Sequence, residues 1–185
     1  MFFAMFLSFT SMSNTYFLGL YSITQMQVGN MFVNGIVMAA IEIFGSFFSG
    51  VIGPRVNAIK ATRFSIFSVA VMLILRLLFS QIDFIQQLSV FSVVFIVIIW
   101  CNLHFVCVSM LIPAKFAYLT IEICQCINGI VILGPPLIAR MDMPIPILAQ
   151  LFFACFGTGL YTIIIRLHKK QQKIEQDKIK NLISI

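Results

Sequence analysis

Few residues of this chain could do chemistry, and most of those lie inside long apolar runs. Glu42, in the string AAIEIFG, lies deepest, ten residues before its run ends. An ionised side chain at the centre of a bilayer costs about 2.5–3.5 kcal/mol on insertion scales, so it needs a partner or a function. Two interpretations stay open. Glu42 either pairs with a cation or hydroxyl of a neighbouring helix, or it acts in transport, for example by carrying a proton.

Neutral polar side chains in the apolar runs form a second group. Asn34, Asn102 and Asn128 each lie within such a run, where hydrogen bonding between helices is their usual role and lining a solute path is the alternative. His104 is close to Asn102, but no second histidine or carboxylate stands at helical spacing from it. We therefore expect no metal site there.

Enzyme motifs are missing from the sequence. It contains no G-x-S-x-G, no H-E-x-x-H and no Walker loop, and it has only six acidic residues. The five cysteines all lie in apolar runs, where a thiol behaves as a small apolar group. We expect no catalytic residue, no bound metal and no cofactor.

The composition identifies the class of protein. Of 185 residues, 61% are apolar and 10% charged, whereas a typical soluble domain has about 25% charged residues. The chain is therefore predicted to be an integral, multi-pass membrane protein, and a soluble enzyme, a disordered chain and a disulfide scaffold are excluded. A spanning helix needs about 20 residues, so the length allows roughly six or seven spans.

Six apolar runs predict an all-α bundle over 1–167, followed by a basic cytoplasmic tail over 168–185. Prolines and glycines mark several of the connections. The first three runs occupy 1–80 and the last three occupy 88–167, so the two triplets have equal length and opposite orientation, as in an inverted repeat. The predicted spans are 1–22, 29–52, 64–80, 88–112, 117–139 and 145–167.

The basic residues predict the orientation. Ten of the twelve lysines and arginines fall in loops or the tail on one side of the predicted bundle, and such residues are retained in the cytoplasm. Both termini are thus expected to be cytoplasmic, in a membrane that the sequence does not identify. Arg76, near the outer end of its span, is expected to extend to the outer interface. The net charge of +6 indicates orientation rather than nucleic-acid binding.

Two strings of the sequence carry a family resemblance. The first resembles the motif G-N-x-[YF]-x-N at the start of one helix of the family, which is followed by a glutamate further along. The matching residues are Gly29, Asn30, Phe32, Asn34 and Glu42. The string CNLHFVCVSMLIPA is similar to F-N-L-x-F-x-x-x-[SA]-E-L-[FY]-P-T, and further matches follow without a gap at Cys124 and Pro136. The chain resembles the organic cation and carnitine transporter branch of the major facilitator superfamily. The matches in CNLHFVCVSMLIPA are Asn102, Leu103, Phe105, Ser109, Leu111 and Pro113.

This resemblance implies helices seven to twelve, the C-terminal half of a twelve-helix carrier. Gly50, Arg55, Lys60 and Pro113 would be remnants of the motifs that act in gating. Each motif has lost charged residues, because Pro54 replaces an aspartate and Met110 replaces a glutamate. Gly129 stands where the family carries the charged residue associated with substrate charge, so the sign of the substrate is not implied.

Three hypotheses follow. The chain is half of an alternating-access carrier for small organic solutes, with Asn34, Glu42, Asn102 and Asn128 along the substrate path. In that case it needs a second six-helix bundle, from another chain or a homodimer. Alternatively, it is a non-transporting accessory subunit of a larger membrane complex, or a partial gene product. The bilayer is a partner in every case, and nucleic acid in none.

Overall fold

The computed structural model describes residues 2–25, 30–53 and 55–183, which form helices and no strand. An N-terminal asparagine caps each of two helices, since the Asn30 side chain accepts from the backbone N–H of Phe32 and that of Asn57 from Lys60. The helices are α1 (Phe2–Gln25), α2 (Met31–Ile52), α3 (Ala58–Leu78), α4 (Asp83–Leu111), α5 (Ala114–Val131), α6 (Gly134–Ala139) and α7 (Ile145–Ile183).

Several of these helices are able to cross a bilayer, so the prediction of an all-α, multi-pass membrane protein is confirmed at that level. α1 has 24 residues and no charge, but it carries buried serine, threonine and asparagine side chains and is not among the segments apolar enough for a span. Five segments of the described chain are both long and apolar enough for a span: Phe32–Ile52, Ala58–Leu78, Asp83–Leu111, Ala114–Ala139 and Ile145–Ile174.

The structure adds detail to two of the predicted segments. The run 117–139 is divided between α5 and α6, because Pro135 follows Gly134 and proline cannot continue the backbone hydrogen bonding of a helix. The described part of the predicted tail is helical, since α7 continues through residue 167 to Ile183. Residues 168–183 therefore extend the last helix by roughly 24 Å at 1.5 Å per residue.

The bundle is arranged around α4 and α1. α4 packs against α1, α2 and α3, while α7 packs against α1 and α3. α2 packs mainly on α4, and α5 and α6 pack mainly on α1. The main core lies between α1, α3, α4 and α7 and includes Met5, Phe9, Ile66, Val69, Leu73, Val97, Trp100, Ile147 and Ile164.

Three glycines let neighbouring helices approach α4 closely. A Cβ atom on Gly157 of α7 would lie 2.8 Å from Cη2 of the buried Trp100 ring. A Cβ on Gly45 of α2 would lie 3.1 Å from Ile98, and one on Gly19 of α1 would lie 3.0 Å from Val94. Small residues at helix contacts are typical of membrane bundles, where van der Waals packing drives association.

We expect Gly157→Ala to lower the free energy of unfolding by about 1–3 kcal/mol, the usual cost of overpacking, because the Trp100 ring has to shift. Gly159→Ala is the matched control on the same helix, since its Cβ would meet nothing within 4 Å. Thermal unfolding in mild detergent, followed by the emission of Trp100, the single tryptophan, measures both. Equal stability of the two variants would contradict the close contact.

Arg76 does not extend to the outer interface as predicted, because it is 1% exposed. Its Nε donates to Oε1 of Gln86 at 3.1 Å, and its guanidinium lies 3.5 Å from both Ser22 Oγ and Gln150 Oε1. Gln150 in turn donates to the backbone oxygen of Thr15 at 3.0 Å. Oxygens from α1, α4 and α7 at one level of the bundle therefore hold the guanidinium inside it.

We expect Gln150→Leu to destabilise the bundle by about 1–3 kcal/mol, because it removes an acceptor for a buried cation. The double variant with Arg76→Met is expected to be less destabilised than the sum of the two single variants, since no buried cation then remains. Unfolding midpoints of the three variants in the same detergent measure this coupling. Strictly additive losses would show that the two side chains do not interact.

Candidate functional site

A cleft of about 310 Å³ opens between α1, α2 and α4. It differs from the core because its wall combines aromatic rings with a carboxylate, two hydroxymethyl groups and an amide. Neither lysine, arginine nor histidine is among its lining residues, which are Phe9, Met12, Ser13, Tyr16, Phe17, Glu42, Ser46, Val97, Ile98, Cys101 and Asn102.

Glu42 is the only carboxylate among the described residues that line this cleft. It is half-buried on α2, and the Tyr16 hydroxyl of α1 donates a hydrogen bond to its Oε1. The close approach of α2 to α4 at Gly45, one turn further along α2, fixes the helix that carries it. Glu42 thus has a hydroxyl partner on a neighbouring helix, as in the pairing interpretation. It also lies on the wall of a cleft, as the transport interpretation requires.

Asn102 lines the same cleft from α4. Two of the four residues predicted for the substrate path are therefore brought together, Glu42 and Asn102. Asn34 is buried at the start of α2, with 7% of its surface exposed, and is not among the lining residues. It lies eight residues before Glu42, or roughly 12 Å along the helix. The backbone of Asn128 belongs to α5, but its side chain is outside the described part of the chain.

The predicted gating remnants are found at one end of the bundle. Gly50 and Met110 line the same groove between α2, α3 and α4, so the two motif positions are neighbours in space. Lys60 lies in the first turn of α3, where its backbone N–H is 3.3 Å from Asn57 Oδ1. Arg55 is exposed in the loop before α3, and Pro113 separates α4 from α5. The structure gives the positions of these residues, and their role in gating stays a prediction.

Tyr16 is the site residue that was missed from the sequence. A tyrosine in the middle of an uncharged apolar run carries one weak signal, since a buried phenol hydroxyl needs a partner. Its partner lies on another helix, 26 residues away, and no spacing rule points to it. Ser13 and Ser46, which also line the cleft, were not predicted either.

His104 belongs to the core rather than to the cleft. Its Nδ1 lies 2.9 Å from the Tyr161 hydroxyl, and its ring centroid lies 5.7 Å from that of Phe9. Within the described residues, no group of three or more histidine, cysteine, aspartate or glutamate side chains is placed to hold a metal ion. The histidine therefore connects α4 to α7 in the bundle interior.

Comparison with protein-family models, with curated proteins and with solved structures found no match for this chain.

The contact between Tyr16 and Glu42 predicts a change in the reactivity of the carboxyl group. We expect Tyr16→Phe to speed the modification of Glu42 by a membrane-permeant carbodiimide by up to about tenfold, since a hydrogen bond to a charged group contributes about 1.5 kcal/mol or more. Mass spectrometry of the peptide that contains residue 42 measures the rate.

Tyr21→Phe is the control for this experiment, because it removes a hydroxyl from the same helix outside the lining of the cleft. Glu42→Gln should abolish the modified peptide altogether. A rate unchanged by Tyr16→Phe would mean that the hydroxyl does not cover the carboxylate.

Proposed function

We propose that this chain is half of an alternating-access carrier that moves small organic solutes across a membrane. Its six spans form two inverted three-helix repeats, with α5 and α6 together as the fifth span, in the manner of the C-terminal half of a major facilitator protein. The observation that carries the proposal is the cleft that joins Glu42, Tyr16 and Asn102 between three helices.

The packing partners of the helices support the repeat. If the two triplets are related by symmetry, α1 corresponds to α4, α2 to α5 with α6, and α3 to α7. Under this exchange, the contact of α3 with α4 becomes the contact of α7 with α1. The same exchange converts the contact of α2 with α4 into that of α5 and α6 with α1. The contacts of α1 with α4 and of α3 with α7 map onto themselves. A pseudo-two-fold relation between the two triplets has this property.

The chemistry of the cleft favours a solute that carries a positive charge. Glu42 supplies a negative charge, and the rings of Phe9, Tyr16 and Phe17 offer faces that attract cations. The absence of lysine, arginine and histidine from this lining leaves no cation to repel such a solute. Its volume is near the lower end of the usual range for small-molecule sites, about 300–1,000 Å³, so the solute is small or is enclosed by a further bundle.

The open surface of α2 supports the need for a second bundle. Phe32, Ile36, Ile43 and Phe47 are all exposed, although this helix carries a wall of the cleft. A second six-helix bundle, from another chain or a second copy, would close the cleft on that side. Alternating access around a site between two bundles requires such a partner.

The position of the cations supports an orientation. Phe2 lines a groove together with Pro113 and Phe116, and the start of α3 lines another with His168 and Lys169 of α7. The N-terminal helix start and the basic segments thus lie at the same end of the bundle. Because positively charged residues stay in the cytoplasm, we assign this end, with both termini, to the cytoplasmic side.

One observation favours a second candidate, a non-transporting subunit of a larger membrane complex. Gly50 and Met110 face the same groove, yet neither supplies a charge, and the sequence has no acidic residue between Glu42 and Asp83. Charge pairs that open and close a carrier at this end would need one. In this reading the exposed apolar helices serve as a packing surface.

Uptake by proteoliposomes that contain the chain, alone and with its co-purified partners, tests the first proposal. We expect uptake of small organic cations in preference to zwitterions and anions. Glu42→Gln is expected to reduce cation uptake at least about tenfold, because it removes a charged contact worth about 1.5–3 kcal/mol. Asp83→Asn is the matched control, since Asp83 is exposed in the first turn of α4 and outside the cleft.

Native gels in mild detergent separate the two candidates. Lost uptake with unchanged assembly in Glu42→Gln supports transport. Lost assembly, in a protein that shows no uptake across the whole panel, supports the structural subunit and overturns the carrier.

A further inference from the structure

A second groove, of about 600 Å³, lies between α3 and α7 and shares no lining residue with the cleft. Lys60 and Arg63 line it from the first two turns of α3, and His168 and Lys169 line it from α7. A spacing of three residues places Lys60 and Arg63 on one face of their helix. Two helices therefore direct their basic side chains into one groove.

No carboxylate is among the residues that line this groove in the described chain. Three permanent cations and a histidine lie close together there, and like charges repel one another in the absence of a counter-charge. An anion in the groove would remove this repulsion. Lysine and arginine side chains are also the usual ligands of phosphate groups.

The apolar part of the groove identifies the kind of anion. Phe64 and Phe67 of α3 also line it, and they are 72% and 60% exposed. Phe67 lies seven residues from Lys60, or roughly 10 Å further along the helix. The groove thus changes from cationic at the helix end to aromatic towards the middle of the span. An amphiphile with a phosphate at one end and acyl chains at the other matches this order, whereas a soluble anion uses only the cationic end.

We propose that the groove between α3 and α7 binds one anionic phospholipid, with its phosphate between Arg63 and Lys169 and its acyl chains along Phe64 and Phe67. Basic pockets between transmembrane helices are suited to anionic headgroups. This site is separate from the substrate cleft, so it does not depend on whether the chain transports a solute.

Other cations of α7 provide the matched comparison. Lys170 and Lys173 lie on the same helical extension and are exposed, but they do not line the groove. They would attract any anionic surface diffusely. A specific site differs from this background because it is saturable and depends on which of the lysines and arginines is removed.

Native mass spectrometry of the purified chain, titrated with phosphatidylglycerol or phosphatidylcholine in mild detergent, tests the proposal. We expect one saturable phosphatidylglycerol and no comparable binding of phosphatidylcholine. The double variant Arg63→Gln with Lys169→Gln is expected to bind phosphatidylglycerol at least about tenfold more weakly, because each cation near a headgroup contributes to affinity. Lys170→Gln with Lys173→Gln, which removes the same charge, is expected to stay within about twofold of the wild type.

Two results would overturn the site. Equal losses in the two double variants would mean that attraction is diffuse. Displacement of the lipid by glycerol phosphate at equal concentration would mean that the groove holds a soluble anion. The emission of Trp100 checks that each variant is folded. If the double variant does not fold, Lys60→Gln alone is expected to weaken phosphatidylglycerol binding with unchanged emission, and undiminished binding would overturn the proposal.

Discussion

Close packing around α4 is the physical constraint on which the other features of this bundle depend. Lipid chains are as apolar as the side chains they surround, so helices in a membrane gain little from hiding apolar surface and associate mainly through contact and hydrogen bonds. Gly19, Gly45 and Gly157 allow three different helices to approach this central helix. The approach at Gly45 brings α2 near enough to α1 for the Tyr16 hydroxyl to reach Glu42. Without the close contact at Gly45, the Glu42 carboxylate would lie on a helix whose surface is largely exposed.

The polar side chains of the bundle are also constrained by the surrounding lipid. In a bilayer a polar group finds no water, so it has to find a partner inside the protein. Arg76, His104 and Gln150 are buried and each contacts a polar atom of another helix. The large exposed side chains of the spanning segments are mostly phenylalanine, leucine and isoleucine. An interior that contains polar side chains beside apolar ones, with many large apolar side chains exposed, is what the apolar composition predicts once the surrounding solvent is lipid.

The sequence was sufficient for the helices but not for the contacts between them. Apolar runs and the prolines between them predicted the spans, since these signals are local. The string GPP marks the start of α6, so the break between α5 and α6 has a local signal. The prediction treated both helices as one span, and together they do have the length of one. Arg76 was predicted to leave the bundle because its position was judged along its own helix, whereas Ser22 and Gln150 hold it from two others. Glu42 and Asn102 were found as isolated polar residues, but the cleft that joins them, and the partner Tyr16, depend on tertiary packing.

Together, the two proposed sites predict which face of the bundle borders lipid and which borders a second bundle. The cleft lies between α1, α2 and α4, and the cationic groove lies between α3 and α7, with no lining residue in common. A lipid can occupy the groove only if that face borders the bilayer, so the proposed second bundle would have to cover the α2 side. The aromatic residues would then have different roles, since in these proposals Phe64 and Phe67 contact acyl chains while Phe9 and Phe17 line a solute path. A partner that covered α3 and α7 instead would close the groove. It would also leave the carboxylate of Glu42 facing lipid, where an ionised side chain costs free energy.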